Sequence, residues 1–161
     1  MMRKLAILAA LATIAWSPAA LAAPGCGIAQ PGTTQRIAIG DTGRQMLIHL
    51  PTGMKPGRRL PLLFLLHGSG GTGAAMLKRT GLSETADKNG FIVAAPDAGI
   101  PVKEGFVWNI PGVPTVTGKV PGPQDADDVA FIGAAIDWLA AQRCVDPTRV
   151  YATGLSGGGR M

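Results

Sequence analysis

The chain has 161 residues, 47% of them hydrophobic, with 15 Lys and Arg against 10 Asp and Glu for a net charge of +5. That length permits one domain with a real core. The mild basicity does not point to nucleic acid, because the positive residues are scattered apart from Arg58-Arg59 and no basic block interleaves with aromatic residues. Met1-Met2-Arg3-Lys4 is a basic start, Leu5 to Trp16 is apolar and uncharged, and Ser17 to Ala23 is rich in small residues. Ala20-Leu21-Ala22 matches the A-x-A cleavage pattern. Residues 1–22 are therefore expected to be a signal peptide, and the mature chain, 23–161 with a net charge of about +3, to be secreted, extracellular or periplasmic. The apolar run falls short of the ~20 residues that span a bilayer, so no membrane anchor is expected after processing. A lipid-modified Cys26 is the rival reading, with Ala23-Pro24-Gly25 a poor lead-in to one. Two cysteines in an exported chain pair by default, so Cys26 and Cys144 are expected to form one disulfide that staples the N-terminal arm to the start of the last strand. Two free thiols are the alternative.

Gln35 to Ile39 and Arg44 to Leu50 are short alternating runs separated by Gly40-Asp41-Thr42-Gly43, which reads as a β-hairpin. Leu60 to Leu66 is almost unbroken apolar sequence that stops at His67-Gly68. Such a run belongs to a central strand covered on both faces, with Pro61 tolerable only at its start. Thr80 to Asn89 reads as a helix closed by Gly90, and Phe91 to Ala95 as the next buried strand, stopped by Pro96-Asp97. Ile100 to Gln124 is rich in Gly and Pro and has no period, a long loop over the sheet edge. Asp125 to Gln142 is the clearest helix. Val129, Ile132, Ile136 and Leu139 recur at helical spacing, and Asp125, Asp127 and Asp128 sit at its positive end as a capping cluster, so no metal site is read there. Alternation of strands and helices predicts an α/β fold, a mainly parallel sheet with helices on both faces.

Two glycine-rich segments follow strands. Val150-Tyr151-Ala152 runs into Thr153-Gly154-Leu155-Ser156-Gly157-Gly158-Gly159, the outline of a nucleophile elbow, in which glycines two before and two after a serine permit a turn too sharp for residues with a Cβ. His67-Gly68-Ser69-Gly70-Gly71 ends the central strand and leaves backbone N–H groups able to point into a cavity, as an oxyanion hole requires. Gly68 to Gly73 also satisfies G-x-G-x-x-G, with Glu84 or Asp87 as the ribose-binding acid. Three features count against a dinucleotide: export, a helix that starts well after the glycines, and a hairpin ahead of the strand. No cofactor is expected.

The pairing of H-G-x-G-G with G-x-S-x-G carries a resemblance, together with Ala86-Asp87-Lys88-Asn89-Gly90-Phe91, Asp127-Asp128-Val129-Ala130-Phe131-Ile132 and Asp146-Pro147-Thr148-Arg149-Val150-Tyr151. From about Cys26 to Met161 the chain resembles the N-terminal half of a secreted α/β-hydrolase of the polyhydroxybutyrate depolymerase and feruloyl esterase type. The resemblance implies that Ser156 is the nucleophile, that the N–H groups of Ser69 and Gly157 form the oxyanion hole, and that His67 is a structural histidine. Trp108 lines the substrate cleft or packs in the core or a loop. The implied substrate is an ester, in a polyhydroxyalkanoate or an ester-decorated plant polysaccharide. Members of the family supply an acid and a histidine after the serine. Here His49 and His67 both precede Ser156, and both have structural readings. Residues 23–161 are thus expected to be the N-terminal part of a catalytic domain, a fold incomplete at its C-terminal end, with the outer edge of the serine-bearing strand unpaired. A non-catalytic remnant that at most binds a ligand or partner is the alternative.

Overall fold

The computed structural model describes residues 26–161, so the expected signal peptide, 1–22, lies outside the described residues. The elements in chain order are β1 (Thr33–Ala38), β2 (Gln45–Leu50), β3 (Leu60–Leu66), α1 (Gly73–Thr80), α2 (Leu82–Asn89), β4 (Ile92–Pro96), β5 (Ile100–Pro101), β6 (Phe106–Val107), α3 (Asp128–Ala141), β7 (Val145–Gly154) and α4 (Gly157–Arg160). One five-stranded sheet has the order β1-β2-β4-β3-β7, and β5 pairs with β6 as a small ribbon. The expected hairpin is present, with Thr33 opposite Leu50 and Ala38 opposite Gln45.

Side-chain alternation assigns the two faces of this sheet. Leu62, Phe64 and Leu66 of β3 join Met46, Ile48, Ile92 and Ala94 beneath Phe131, Ala135 and Leu139 of α3. Leu65, Val93 and Ala95 point the other way, onto Leu77 of α1 and Ala86 of α2. Helices on both faces are therefore as expected, and they explain why β3 and β4 read as unbroken apolar runs. Each large side chain buried in this way contributes roughly 1.5–3 kcal/mol.

Four expectations are corrected. The sheet is mixed: β3 pairs in parallel with β4 and with β7, but the hairpin joins the free edge of β4 antiparallel. The helix expected over Thr80–Asn89 is α2, which starts at Leu82 because Gly81 takes a left-handed conformation (φ 60), and a further helix, α1, ends at Thr80 ahead of it. Helix α1 escapes a sequence reading because it buries only Gly73 and Leu77 and lies in a glycine-rich stretch. It begins directly after the glycines, so distance from a helix is no objection to a dinucleotide site; the preceding hairpin remains one. Within the long loop, Ile100 pairs with Val107 and Pro101 with Phe106.

The fourth correction concerns the acidic cluster before α3. Asp127 is the cap, accepting from Ala130 N at 2.9 Å. Asp125 instead closes the preceding loop, accepting from Gly122 N and Lys119 Nζ. Asp128 is fully buried, with Oδ1 2.7 Å from Arg44 Nη2 and Oδ2 accepting from Asn109 N at 2.8 Å. The same guanidinium lies 3.9 Å above the Phe131 ring and donates to Asp97 O. The apolar stripe runs through Phe131, Ala135 and Leu139, while Val129 is 51% exposed. Burial of Asp128 turns the helix by enough to move Val129 out.

Cys26 and Cys144 form the disulfide, with Cα atoms 4.6 Å apart and a sequence separation of 118. It sits at the start of the β3–β7 pair, where Leu60 N donates to Cys144 O at 3.0 Å. Removing so long a closure restores disorder to the unfolded chain. Replacing both cysteines by serine is expected to lower the unfolding free energy by about 2–5 kcal/mol, measured by urea titration. Asp128→Ala strands a buried guanidinium and is expected to cost about 3–5 kcal/mol in the same assay, whereas Arg44→Met with Asp128→Leu should recover most of that loss. Asp146 accepts from Thr148 Oγ1, Arg149 Nε and Thr148 N, which hold its pKa at about 2 against 3.8 for the free side chain. A depressed carboxylate contributes stability above its unfolded pKa and loses it as pH falls toward the folded one. Asp146→Asn should therefore flatten part of the loss of stability between about pH 4 and pH 2 and leave the slope at neutral pH unchanged.

Candidate active site

The parallel pairing of β3 with β7 places Leu66 beside Gly154, so the two glycine-rich segments leave the sheet at the same end. Leu155 N donates to Leu66 O at 3.1 Å and carries the ladder one step past the strand. The chain then reverses at Ser156, which has φ 49 and ψ −111 and caps α4. A non-glycine residue there stores about 1–3 kcal/mol of strain. The surrounding glycines make this turn possible. A Cβ on Gly154 would enter the carbonyl of Gly158, and one on Gly158 would strike Leu66 O and stand 2.6 Å from His67 O. At Gly157 it would stand 2.6 Å from Ser69 Oγ. Ser156 itself is exposed.

The oxyanion loop candidate is clamped from the other side. Gly70 N donates to Phe106 O at 2.8 Å, and Phe106 N donates back to Gly71 O at 3.1 Å. Gly105 (φ 70) lets this ribbon approach, since a Cβ there would lie 2.5 Å from both Gly70 O and Gly71 O. Gly71 N is taken by Gly68 O. Ser69 N and Gly157 N make no hydrogen bond among the described residues, and Ser69 N lies 3.4 Å from where a Gly157 Cβ would be. Two donors without a partner among the described residues thus lie close together, one of them next to the serine in the chain.

His67 is 1% exposed and fully employed. Its Nε2 accepts from Ala98 N at 3.0 Å, which places the ring proton on Nδ1, facing Gly68 O at 2.8 Å. The ring therefore ties the loop to the residues after β4, as a structural histidine does. Trp108 donates from Nε1 to His67 O at 2.7 Å and packs tilted against the His67 ring with centroids 4.9 Å apart. Trp108 is buried, and it lines a cavity of about 100 Å³ with Ser69, Ile110, Val113, Val116 and Ser156. His49 lies on β2 with Nδ1 2.9 Å from Thr34 Oγ1 and Nε2 3.2 Å from Asp87 Oδ1. Asp87 is held below the ordinary carboxylate range, first by the Thr52 N–H and then by His49. Both ring nitrogens of each histidine are thus committed elsewhere, and Ser156 Oγ has no hydrogen-bond partner among the described residues.

Sequence reasoning missed Gly105 and Asp97. Asp97 Oδ1 accepts from Gly73 N at 2.7 Å and fixes the start of α1 after the loop, while Oδ2 meets Arg36 at 3.1 Å. The Pro96-Asp97 pair was legible only as the end of a strand. Among the described residues no group of three or more His, Cys, Asp or Glu is placed to hold a metal ion, and no helix is long and apolar enough to cross a membrane.

No family model matches the chain. It is 33% identical over 120 residues to feruloyl esterase B of Piromyces equi, covering 73% of this chain and 20% of that protein. It is also 33% identical over 119 residues to poly(3-hydroxyalkanoate) depolymerase C of Paucimonas lemoignei, covering 73% of this chain and 26% of that protein. The structure superposes on acetyl xylan esterase from Aspergillus awamori with a TM-score of 0.59, over 78% of this chain and 43% of that one, at 21% identity, a likeness of fold. The chain is homologous to proteins named esterase and poly(3-hydroxyalkanoate) depolymerase, consistent with an esterase-like α/β-hydrolase family. It spans about a quarter or less of the length of these two curated relatives.

The esterase-type relationship makes the glycines of the elbow testable as packing requirements. Gly158→Ala is expected to cost about 1–3 kcal/mol in urea unfolding, because its methyl would meet backbone that cannot rotate away. Gly133→Ala is the control: it lies in α3 with open space around it, and should be neutral or stabilise by up to about 1 kcal/mol.

Proposed function

We propose that the chain is the N-terminal part of the catalytic domain of an exported serine esterase, with Ser156 as its nucleophile. The observation that carries this reading is the strained, exposed Ser156 facing the unused N–H groups of Ser69 and Gly157. Ser156 Oγ attacks the ester carbonyl carbon, and negative charge develops on the carbonyl oxygen between the two N–H donors. Each such donor is typically worth about 2.7–4 kcal/mol in the transition state. Collapse of the tetrahedral intermediate breaks the bond to the alcohol oxygen and leaves an acyl-serine, which water then hydrolyses. The Oγ proton must be taken by a base as the bond forms. His49 and His67 are both committed to structural bonds, so that base and its orienting acid belong to polypeptide outside these 161 residues. The proposed substrates are esters of polyhydroxyalkanoates or of feruloylated or acetylated polysaccharides, after the names of the relatives. The Cys26–Cys144 disulfide supports an oxidising compartment, and with it export.

The second reading, a non-catalytic remnant that binds a ligand at most, is favoured by the lack of any partner for Ser156 Oγ among the described residues. Covalent labelling with a fluorophosphonate separates the two. On the esterase reading Ser156 is labelled, faster with added imidazole standing in for the absent base, and Ser156→Ala abolishes labelling. No labelling at any imidazole concentration would leave the remnant.

A further inference from the structure

Ser69 stands between two clefts. On one side is the small cavity of about 100 Å³ lined by Trp108, Ser156 and Arg160 among others. On the other is a larger cleft of about 250 Å³, whose floor is the oxyanion loop and whose far walls come from Ala75, Met76 and Arg79 of α1 and from Leu155. Leu155, directly before the nucleophile, is 44% exposed and forms one apolar wall. Arg79 is exposed and makes no ion pair among the described residues, which is also true of Arg160 in the smaller cavity, while Arg36, Arg44 and Arg149 are each matched with an aspartate. An ester whose carbonyl oxygen sits at the Ser69 N–H has a cleft on either side of Ser69. The side away from Trp108 meets an apolar wall and then a cation.

We propose that Arg79 is a specificity-determining residue, and that the larger cleft is a subsite for a segment carrying a carboxylate one repeat away from the scissile ester. This rests on the esterase reading above and narrows its substrate class. The fit is to an oligoester with a free acid end or to an ester on an acidic sugar. Guanidinium offers paired donors that match a carboxylate. Because the site is exposed and screened by salt, the gain is modest, about three- to tenfold in affinity.

The test uses the Ser156→Ala chain, so that the ester is not consumed, and measures binding of the linear dimer of 3-hydroxybutyrate against its methyl ester by calorimetry or NMR titration. The acid should bind about three- to tenfold tighter at low salt, and Arg79→Gln should bring it down to the affinity of the methyl ester without changing the latter. Arg79→Lys should retain part of the preference, and salt should erode it. Equal affinities for acid and methyl ester, no measurable binding of either, or an equal loss for both in Arg79→Gln would each overturn the proposal. Fluorophosphonate labelling of Ser156 without an Arg79-dependent preference would leave the esterase reading standing and remove the subsite. The preference without labelling would keep the subsite and remove the esterase.

Discussion

Everything at this site depends on how closely two strand ends can approach. β3 and β7 run parallel, and the segments beyond them must turn away in opposite senses without separating. Contact between Gly158 and the carbonyl of Leu66, and between Gly154 and Gly158, leaves no room for a single methyl group. That contact fixes the direction of α4, puts Gly157 N next to Ser69 N, and forces Ser156 into a conformation it would not otherwise choose. Strain at Ser156 is thus the outcome of packing behind it, made possible by Gly154, Gly157 and Gly158, which carry no side chains.

The loop that faces the serine is held from three directions. The β5–β6 ribbon takes the N–H of Gly70 and gives one back to Gly71. His67 reaches under the loop to the N–H of Ala98, and Trp108 holds the carbonyl of His67. Asp97 anchors the first turn of α1 just beyond. With its neighbours spoken for, the N–H of Ser69 is left over, and an unspent backbone donor facing a cleft is what a developing oxyanion would use. The buried Arg44–Asp128 pair completes the frame, because Arg44 belongs to the hairpin side, Asp128 to α3 and Asn109 to the stretch that carries Trp108. Its value is in joining three segments, since an apolar filling of the same volume could be as stable.

Much of this was legible from residue order. Unbroken apolar runs announced β3 and β4, Gly40 to Gly43 announced the hairpin turn, and Gly90 announced the end of α2, each because a local backbone or burial requirement restricts the residue types allowed. Helix α1 was not, since its eight residues bury only Gly73 and Leu77 and so carry no readable stripe. The stripe of α3 was misplaced by one residue, with Asp128, Phe131 and Ala135 buried in place of Val129, Ile132 and Ile136, because Asp128, which looks like a surface cap in sequence, is paired with an arginine 84 residues away.

The sequence by itself determined that a serine would sit on a glycine-permitted turn after one strand and that a glycine-rich loop would follow another, because both are local consequences of which residues tolerate sharp backbone. It also determined the two cysteines available for a bridge. Tertiary structure alone decided that the two turns meet at one end of one parallel pair, that Ser69 and Gly157 keep unused donors there, that both histidines are consumed by structural bonds, and that the hairpin joins antiparallel. Each of these depends on partners distant in sequence, such as Thr34 with His49 at a separation of 15, His67 with Trp108 at 41, and Leu66 paired with Gly154.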